Sequence, residues 1–253
     1  MTLLTPNRRK VAVSFTGGKD SMLALHLLHP KTSHTVPTLL PSPSGPEYEI
    51  ALLVTFTPPL SKATPFLSHP RPLILAQAES LGIPHQFLEI DDPHFECYQE
   101  QMKLLNEKEG ITGLVTGDVE DVADGYMERV CDGTGVSLIR PLWRKERIVL
   151  LEAVWVMGLR PLISCVNVGS FGSWSETDRA ASWVGQILDS RFFEVELRDA
   201  KVQCDADECG EGGEYHTMVV DGPLFLNPIV TDWQRGTSKD AKYIYMDILN
   251  IHT

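Results

Sequence analysis

The octapeptide Ser14-Phe15-Thr16-Gly17-Gly18-Lys19-Asp20-Ser21 gathers residue types suited to holding an anion. Adjacent glycines let the backbone approach a ligand closely and take positive φ. Amide N–H groups at a helix N-terminus then point at the ligand with the helix dipole behind them. Ser14, Thr16 and Ser21 add hydroxyls, and Lys19 adds a flexible cation that can neutralise phosphate. The composition is that of a phosphate cradle. It is not a Walker A loop, because Val13 stands where the first glycine belongs and Asp20 follows Gly18-Lys19 where Ser or Thr is required. The dinucleotide pattern G-x-G-x-x-G fails too, since Gly17 and Gly18 are adjacent and no third glycine follows at the needed spacing. A plain sharp turn would need the glycines but not the Lys-Asp-Ser run after them. On chemistry alone Asp20 reads as a first-turn helix carboxylate stabilising by about 0.3–1 kcal/mol.

A second cluster, Cys209-Gly210-Glu211-Gly212-Gly213-Glu214-Tyr215-His216-Thr217, places three glycines and two carboxylates just before an apolar run. Alone it reads as an acidic turn. Two carboxylates on a glycine-rich loop can also hold a cation, orient ammonia or act as a base.

The elements that must position these clusters follow from the apolar pattern. Residues 10–15 form a β-branched and aromatic run that stops at the glycines, and a helical face of Met22, Leu23, Leu25, Leu27 and Leu28 follows. Strands are expected at 50–56, 85–90, 113–116, 137–139 and 161–168. Helices are expected at 73–81, 95–108, 121–131 and 146–157. This alternation implies an α/β fold with a doubly wound, mostly parallel sheet, because right-handed crossovers connect adjacent parallel strands. The Pro- and Ser-rich stretch 30–47 reads as a long surface loop. After Gly169 the texture changes, with a helix expected at 177–188 and strands at 193–197, 218–220 and 243–248. The expected division is a nucleotide-binding domain, 1–140, and a smaller α+β acceptor-substrate domain, 141–253, with the boundary between 135 and 170.

Composition limits the partners. The 253 residues carry 22 Lys+Arg against 34 Asp+Glu, a net charge of −12, which repels an extended nucleic acid but leaves room for one local cationic pocket. The five cysteines are odd in number and scattered, as expected of reduced thiols, and Cys204 and Cys209 lack neighbours to complete a zinc site. No run approaches the roughly 18 apolar residues of a membrane span, and the chain reads as cytoplasmic with no membrane partner. No H-E-x-x-H metal pattern or G-x-S-x-G elbow is present. The five tryptophans read as core or rim residues, with Trp174, in a Gly/Ser-rich loop, the candidate for a cleft wall.

The first cluster resembles the SGGxDS PP-loop of the N-type ATP pyrophosphatases, with Thr16 in place of Ser. Together, Thr16 to Ser21, Cys209 to Thr217 and Asp221-Gly222-Pro223-Leu224-Phe225 resemble the diphthine–ammonia ligases, and the second motif is the more specific. Gln77 to Pro84, Glu128 to Cys131 and Pro141-Leu142-Trp143 look similar in order, so the likeness runs from about residue 10 to about residue 230. The resemblance implies an adenine nucleotide alpha hydrolase-like fold and an AMP-forming carbon–nitrogen ligase using ATP and Mg²⁺. The carboxylate of diphthine on elongation factor 2 would be activated as an acyl-adenylate, pyrophosphate would leave, and ammonium would supply the amide nitrogen of diphthamide. It further implies that Ser14 to Ser21 hold the phosphates, that Asp20 helps place Mg²⁺, and that Thr55 and Gly117, at strand ends, face adenine and ribose. Lys19, Asp20, Glu211 and Glu214 would be the catalytic set. Gly210, Gly212, Gly213, Tyr215 and Thr217 would line the acceptor site with them, and Glu211 and Glu214, with Tyr215, would either recognise diphthine's trimethylammonium group through charge and an aromatic face or bind ammonium.

Three departures concern the acceptor. The family's Ser-Asp-Tyr-Gln-Arg-like stretch is replaced by acidic residues at 118–124, His69 lies about one position from the expected histidine, and His216 stands where an acid is usual. Another amide ligase of the same superfamily acting on a small molecule, or a non-catalytic ATP/AMP sensor, shares the first cluster.

Overall fold

The computed structural model describes residues 8–36, 39, 47–59, 61–62, 67–121 and 124–252, with backbone alone for 173–177. The loop expected at 30–47 lies largely outside them, as does the side chain of Trp174. The chain divides into two units. The first comprises Met1–Phe15, Asp20–Ala63 and Ile83–Lys145, and the second Thr16–Lys19, Thr64–Gly82 and Glu146–Thr253. The chain passes to the second unit for good after Lys145, yet two earlier segments already belong to it, which a linear division at 140 does not anticipate.

In the first unit, strands β1 (Arg9–Ser14), β2 (Tyr48–Thr57), β3 (His85–Glu89), β4 (Gly113–Val115) and β5 (Ser137–Ile139) form a five-stranded sheet in the order β3-β2-β1-β4-β5. Every pairing is parallel, with Val13 opposite both Leu53 and Val115. The inner strands are buried on both faces around Val11–Val13, Leu52–Thr55 and Gly113–Val115, which is why they read as continuous apolar runs rather than alternating ones. On one face Ala12, Leu52, Val54 and Leu114 pack with Met102 and Leu105 of helix α3 (His94–Glu109) and Val130 of α4 (Tyr126–Cys131). On the other, Val11, Val13 and Leu53 are fully buried. Helix α1 (Lys19–Leu28) is buried all round from Met22 to Leu28, including His26, whose Nδ1 lies 2.9 Å from the Met22 carbonyl.

The second unit holds an antiparallel sheet, β7-β6-β9-β8, built from β6 (Pro161–Asn167), β7 (Tyr215–Val219), β8 (Val230–Thr237) and β9 (Tyr243–His252). Helices α2 (Arg71–Leu81) and α5 (Arg147–Val156) belong to it. β6 therefore does not extend the parallel alternation, as its apolar run had implied: it is buried between two antiparallel neighbours, a position with the same apolar signature. The helix expected at 177–188 is only a short 3₁₀ turn, Ala180–Trp183, bracketed by left-handed residues at Asp178 and Gly185. At Gly185 a Cβ would lie 2.1 Å from the Trp233 ring, so no side chain fits there. The strand expected at 193–197 is a π-helical turn between α6 (Ser190–Phe192) and α7 (Arg198–Cys204). Phe193 and Leu197 fall on one buried face, and the Asp189 carboxylate accepts from Phe192 N at 2.8 Å to start the helix. No helix among the described residues is long and apolar enough to cross a membrane.

Candidate functional site

The glycine turn directly follows β1, the strand at which the sheet order reverses direction. Open parallel sheets bind ligands beyond the strand carboxyl ends at such a switch point. Gly17 has φ of +77°, and its carbonyl accepts from two donors, Val219 N at 2.9 Å and Gln77 Nε2 at 2.9 Å. Gln77 is wholly buried and reaches Val219 O as well, so one α2 side chain ties the turn to β7. A Cβ on Gly17 would sit 1.9 Å from Gln77 Oε1, and one on Gly18 would press on Thr217 O at 3.1 Å. Gly17 is thus required by contact as well as by conformation, and Gly18 is constrained by contact alone.

The two sequence clusters meet here. The Lys19 amide donates to Thr217 Oγ1 at 3.1 Å, and Lys19 Nζ lies 3.3 Å from Glu211 Oε1, with the lysine side chain 9% and the glutamate side chain 27% exposed. A buried ammonium beside one partly solvated carboxylate is a cation held ready at the first turn of a helix.

The carboxylates of the second cluster separate into two roles. Glu211 faces Lys19, whereas Glu214 is buried beneath its own loop, where Oε1 accepts from Asp207 N at 3.0 Å. Asp207 in turn accepts from Cys209 N at 2.7 Å and pairs with Arg147 of α5. Tyr215 is buried, donates its hydroxyl to Glu208 O at 2.8 Å and meets Trp183 edge-on. Its ring is therefore not a free aromatic wall for a cation, contrary to the role the resemblance implied for it. Glu214 and Tyr215 hold the loop so that Gly210, Glu211, Gly212 and Gly213 form its more open part.

Two histidines that the sequence marked only as departures complete the neighbourhood. His216 and His69 lie edge to face with centroids 5.4 Å apart, and a Cβ on Gly18 would come within 3.6 Å of His69 Nε2. His69 is fixed by Ser68, whose hydroxyl is 2.9 Å from Nδ1 and whose carbonyl accepts from Ser164 of β6 at 2.6 Å. Burial, and then His216, push the His69 pKa down to about 3; burial, and then Lys19, lower that of His216. Both rings are neutral at neutral pH. A His-Pro pair just before a helix start, and a His inside a strand motif, were the available signals.

The remaining expected site residues lie in the first unit, except for Thr16, which is half-buried in the second with its hydroxyl 3.4 Å from Gly18 N. Ser14 is half-buried opposite Val54, and Ser21 is buried in α1. Thr55 is not available to a nucleotide: its hydroxyl donates to Phe15 O, lies 2.8 Å from His85 Nε2, and is used up joining β1 to its neighbours. Gly117 follows β4, and a Cβ there would lie 2.8 Å from backbone atoms of Asp20 and Ser21. The chain end of β4 thus passes directly over the first turn of α1, as the switch-point position requires. A half-buried carboxylate at Asp20 is a hard oxygen donor of the kind that, with water and phosphate oxygens, suits Mg²⁺. The amides at the start of α1, the glycine backbone and Lys19 suit a phosphate chain.

The sheet order and the glycine turn at its switch point define a doubly wound α/β protein. Residues 170–247 match the family model of the diphthamide synthase C-terminal domain. The chain is 27% identical over 166 residues to the diphthine–ammonia ligase of Mus musculus, covering 65% of this chain and 59% of the relative. It is 27% identical over 181 residues to that of Homo sapiens, covering 70% and 64%, and 27% identical over 180 residues to that of Schizosaccharomyces pombe, covering 70% and 28%. The chain is thus similar to the diphthine–ammonia ligases, and it spans 59% and 64% of the length of the mouse and human relatives. Among solved structures, a predicted subunit of tRNA methyltransferase from Methanocaldococcus jannaschii aligns with a TM-score of 0.40 and 16% identity, covering 85% of this chain and 97% of that one.

Proposed function

We propose that the protein is an AMP-forming ligase that uses ATP and ammonium to convert the diphthine carboxylate of elongation factor 2 into the amide of diphthamide, in the cytoplasm. The observation that carries this reading is the meeting of the two clusters: the Lys19 amide on Thr217 and its ammonium on Glu211. A carboxylate is a poor acyl donor, so its oxygen must first displace pyrophosphate from the α-phosphorus. Ammonia then attacks the acyl carbon and AMP leaves. The amides of α1 and Lys19 Nζ stabilise the charge that grows on the departing pyrophosphate, as an oxyanion hole does. Asp20 would hold Mg²⁺, which would supply further positive charge to neutralise the phosphates. Glu211, the more open of the two carboxylates, is placed to hold ammonium by hydrogen bonds to its oxygens. His69 and His216, neutral beside the turn, add no positive charge to compete with Lys19 and no negative charge to repel phosphate.

The test is a discharge assay with ATP, ammonium and diphthine-bearing elongation factor 2, omitting each in turn. AMP and pyrophosphate in equal amounts, dependent on the acceptor protein, are expected. Tight ATP binding without AMP release would favour a sensor instead.

A further inference from the structure

A carboxylate far from Lys19 in sequence starts a chain of contacts that ends on Glu211, and every residue of that chain belongs to the second unit. The turn Phe193–Leu197 is π-helical, with the Arg198 amide bonded back to Phe193 O. Such single turns inside a helix redirect the side chains around them and often serve a site. Phe193 and Leu197 go to the core, and Glu196 is drawn to the edge of that buried face, its side chain 24% exposed. There its Oε2 accepts from two donors, the Trp183 indole Nε1 at 3.1 Å and Arg179 Nε at 2.9 Å.

Trp183 is buried, and its ring takes edge contacts from Phe171, Phe192 and Tyr215. A buried indole N–H needs an acceptor, so the Glu196 carboxylate fixes how the ring sits. Tyr215 stands against it at 80°, with centroids 6.3 Å apart. The tyrosine ring in turn lies against Gly210, where a Cβ would come 3.0 Å from Cζ, and its hydroxyl donates to Glu208 O at 2.8 Å. One ring thus holds the loop on both sides of Cys209, and the next residue along is Glu211, 3.3 Å from Lys19 Nζ. We propose that Glu196 is a positioning residue for Glu211: its carboxylate sets the Trp183 ring, that ring backs Tyr215, and Tyr215 carries the stretch of loop from which Glu211 reaches Lys19. A purely apolar cluster would be indifferent to the residue at 196, whereas this one requires an oxygen there. That Glu211 holds ammonium rests on the ligase reading; its placement against Lys19 does not.

In the full chain, Lys19 is acylated with a trace of acetic anhydride, and the rate is read by peptide mass spectrometry against the exposed Lys201. A carboxylate held beside the ammonium slows acylation, so the rate reports whether Glu211 is in place. Glu196→Leu, which leaves the indole without its acceptor, is expected to speed Lys19 labelling by about fivefold. Glu211→Gln is expected to do the same and the double variant no more than either, because the two act on one contact. Glu196→Gln, which keeps an oxygen at the indole, stays close to the wild type. A wild-type rate in Glu196→Leu, additive effects in the double variant, or failure of glutamine to restore the rate overturns the proposal. If the leucine variant loses its cooperative melting, Glu196→Met, closer in length, is measured in its place with the same outcomes. Turnover is read separately: on the ligase reading the variant also raises the ammonium concentration for half-maximal rate and leaves the KM for ATP unchanged. The labelling pattern without AMP release by the wild type keeps Glu196 in this role and defeats the ligase reading, and AMP release with unaltered labelling does the reverse.

Discussion

Lys19 is the one residue in which the backbone and side-chain halves of the site coincide, its amide on Thr217 and its ammonium on Glu211. On the ligase reading Lys19→Ala should lower AMP formation by about a hundredfold or more while leaving the circular dichroism spectrum intact, because its charge would be needed most as pyrophosphate departs. Glu211→Gln should raise the ammonium concentration needed for half-maximal rate more than it weakens ATP binding; an unchanged ammonium dependence would remove Glu211 from that role. The histidines make a separate prediction. His26 is held down to about 4 by burial and His69 to about 3, against an ordinary value of 6.5. The unfolded chain therefore takes up protons that the folded one refuses, and stability present above pH 6.5 is lost as the pH falls toward those values. At pH 5 each should cost on the order of 2 kcal/mol. His26→Leu should flatten the fall of the unfolding midpoint between pH 7 and 5, and an unaltered slope would contradict the burial argument.

At the scale of elements, β7 is an edge strand whose free side is occupied by the glycine turn through Val219 N to Gly17 O. Thr217→Val removes the acceptor for the Lys19 amide, leaving a buried donor unmet at about 1–3 kcal/mol. It should weaken ATP binding several-fold, as measured by calorimetry. Gly117→Ala should do likewise, since its Cβ would meet the first turn of α1. The parallel strands and the helices between them were legible in the sequence because strand and helix runs alternated between glycine and proline breaks. What lay beyond 169 was less so. Phe193 and Leu197 share a helical face that their apolar, β-compatible composition disguised, and β8 carries almost no apolar alternation, being largely exposed and paired only to β9. At the site, spacing along the chain marked both glycine clusters but could not tell Glu211 from Glu214. Burial under the loop made that distinction and withdrew Tyr215, while hydrogen bonds to Phe15 O and His85 withdrew Thr55.

For the molecule as a whole, the division into units is not linear: Thr16–Lys19 and Thr64–Gly82 belong with Glu146–Thr253. Gln77 is wholly buried in that second unit and bonds Gly17 and Val219 together. A fragment of residues 146–253 should therefore fail to unfold cooperatively on heating, because it lacks both the turn that covers β7 and the glutamine that fastens it. A sharp thermal transition would show those segments to be dispensable. The most direct test of the ligase reading is transfer of nitrogen-15 from labelled ammonium into diphthine-bearing elongation factor 2, followed by mass spectrometry of the modified peptide. Label in the peptide, matched by equal AMP and abolished by Lys19→Ala, is the predicted result. AMP formation without label in the acceptor, or label unaffected by loss of Lys19, would contradict it.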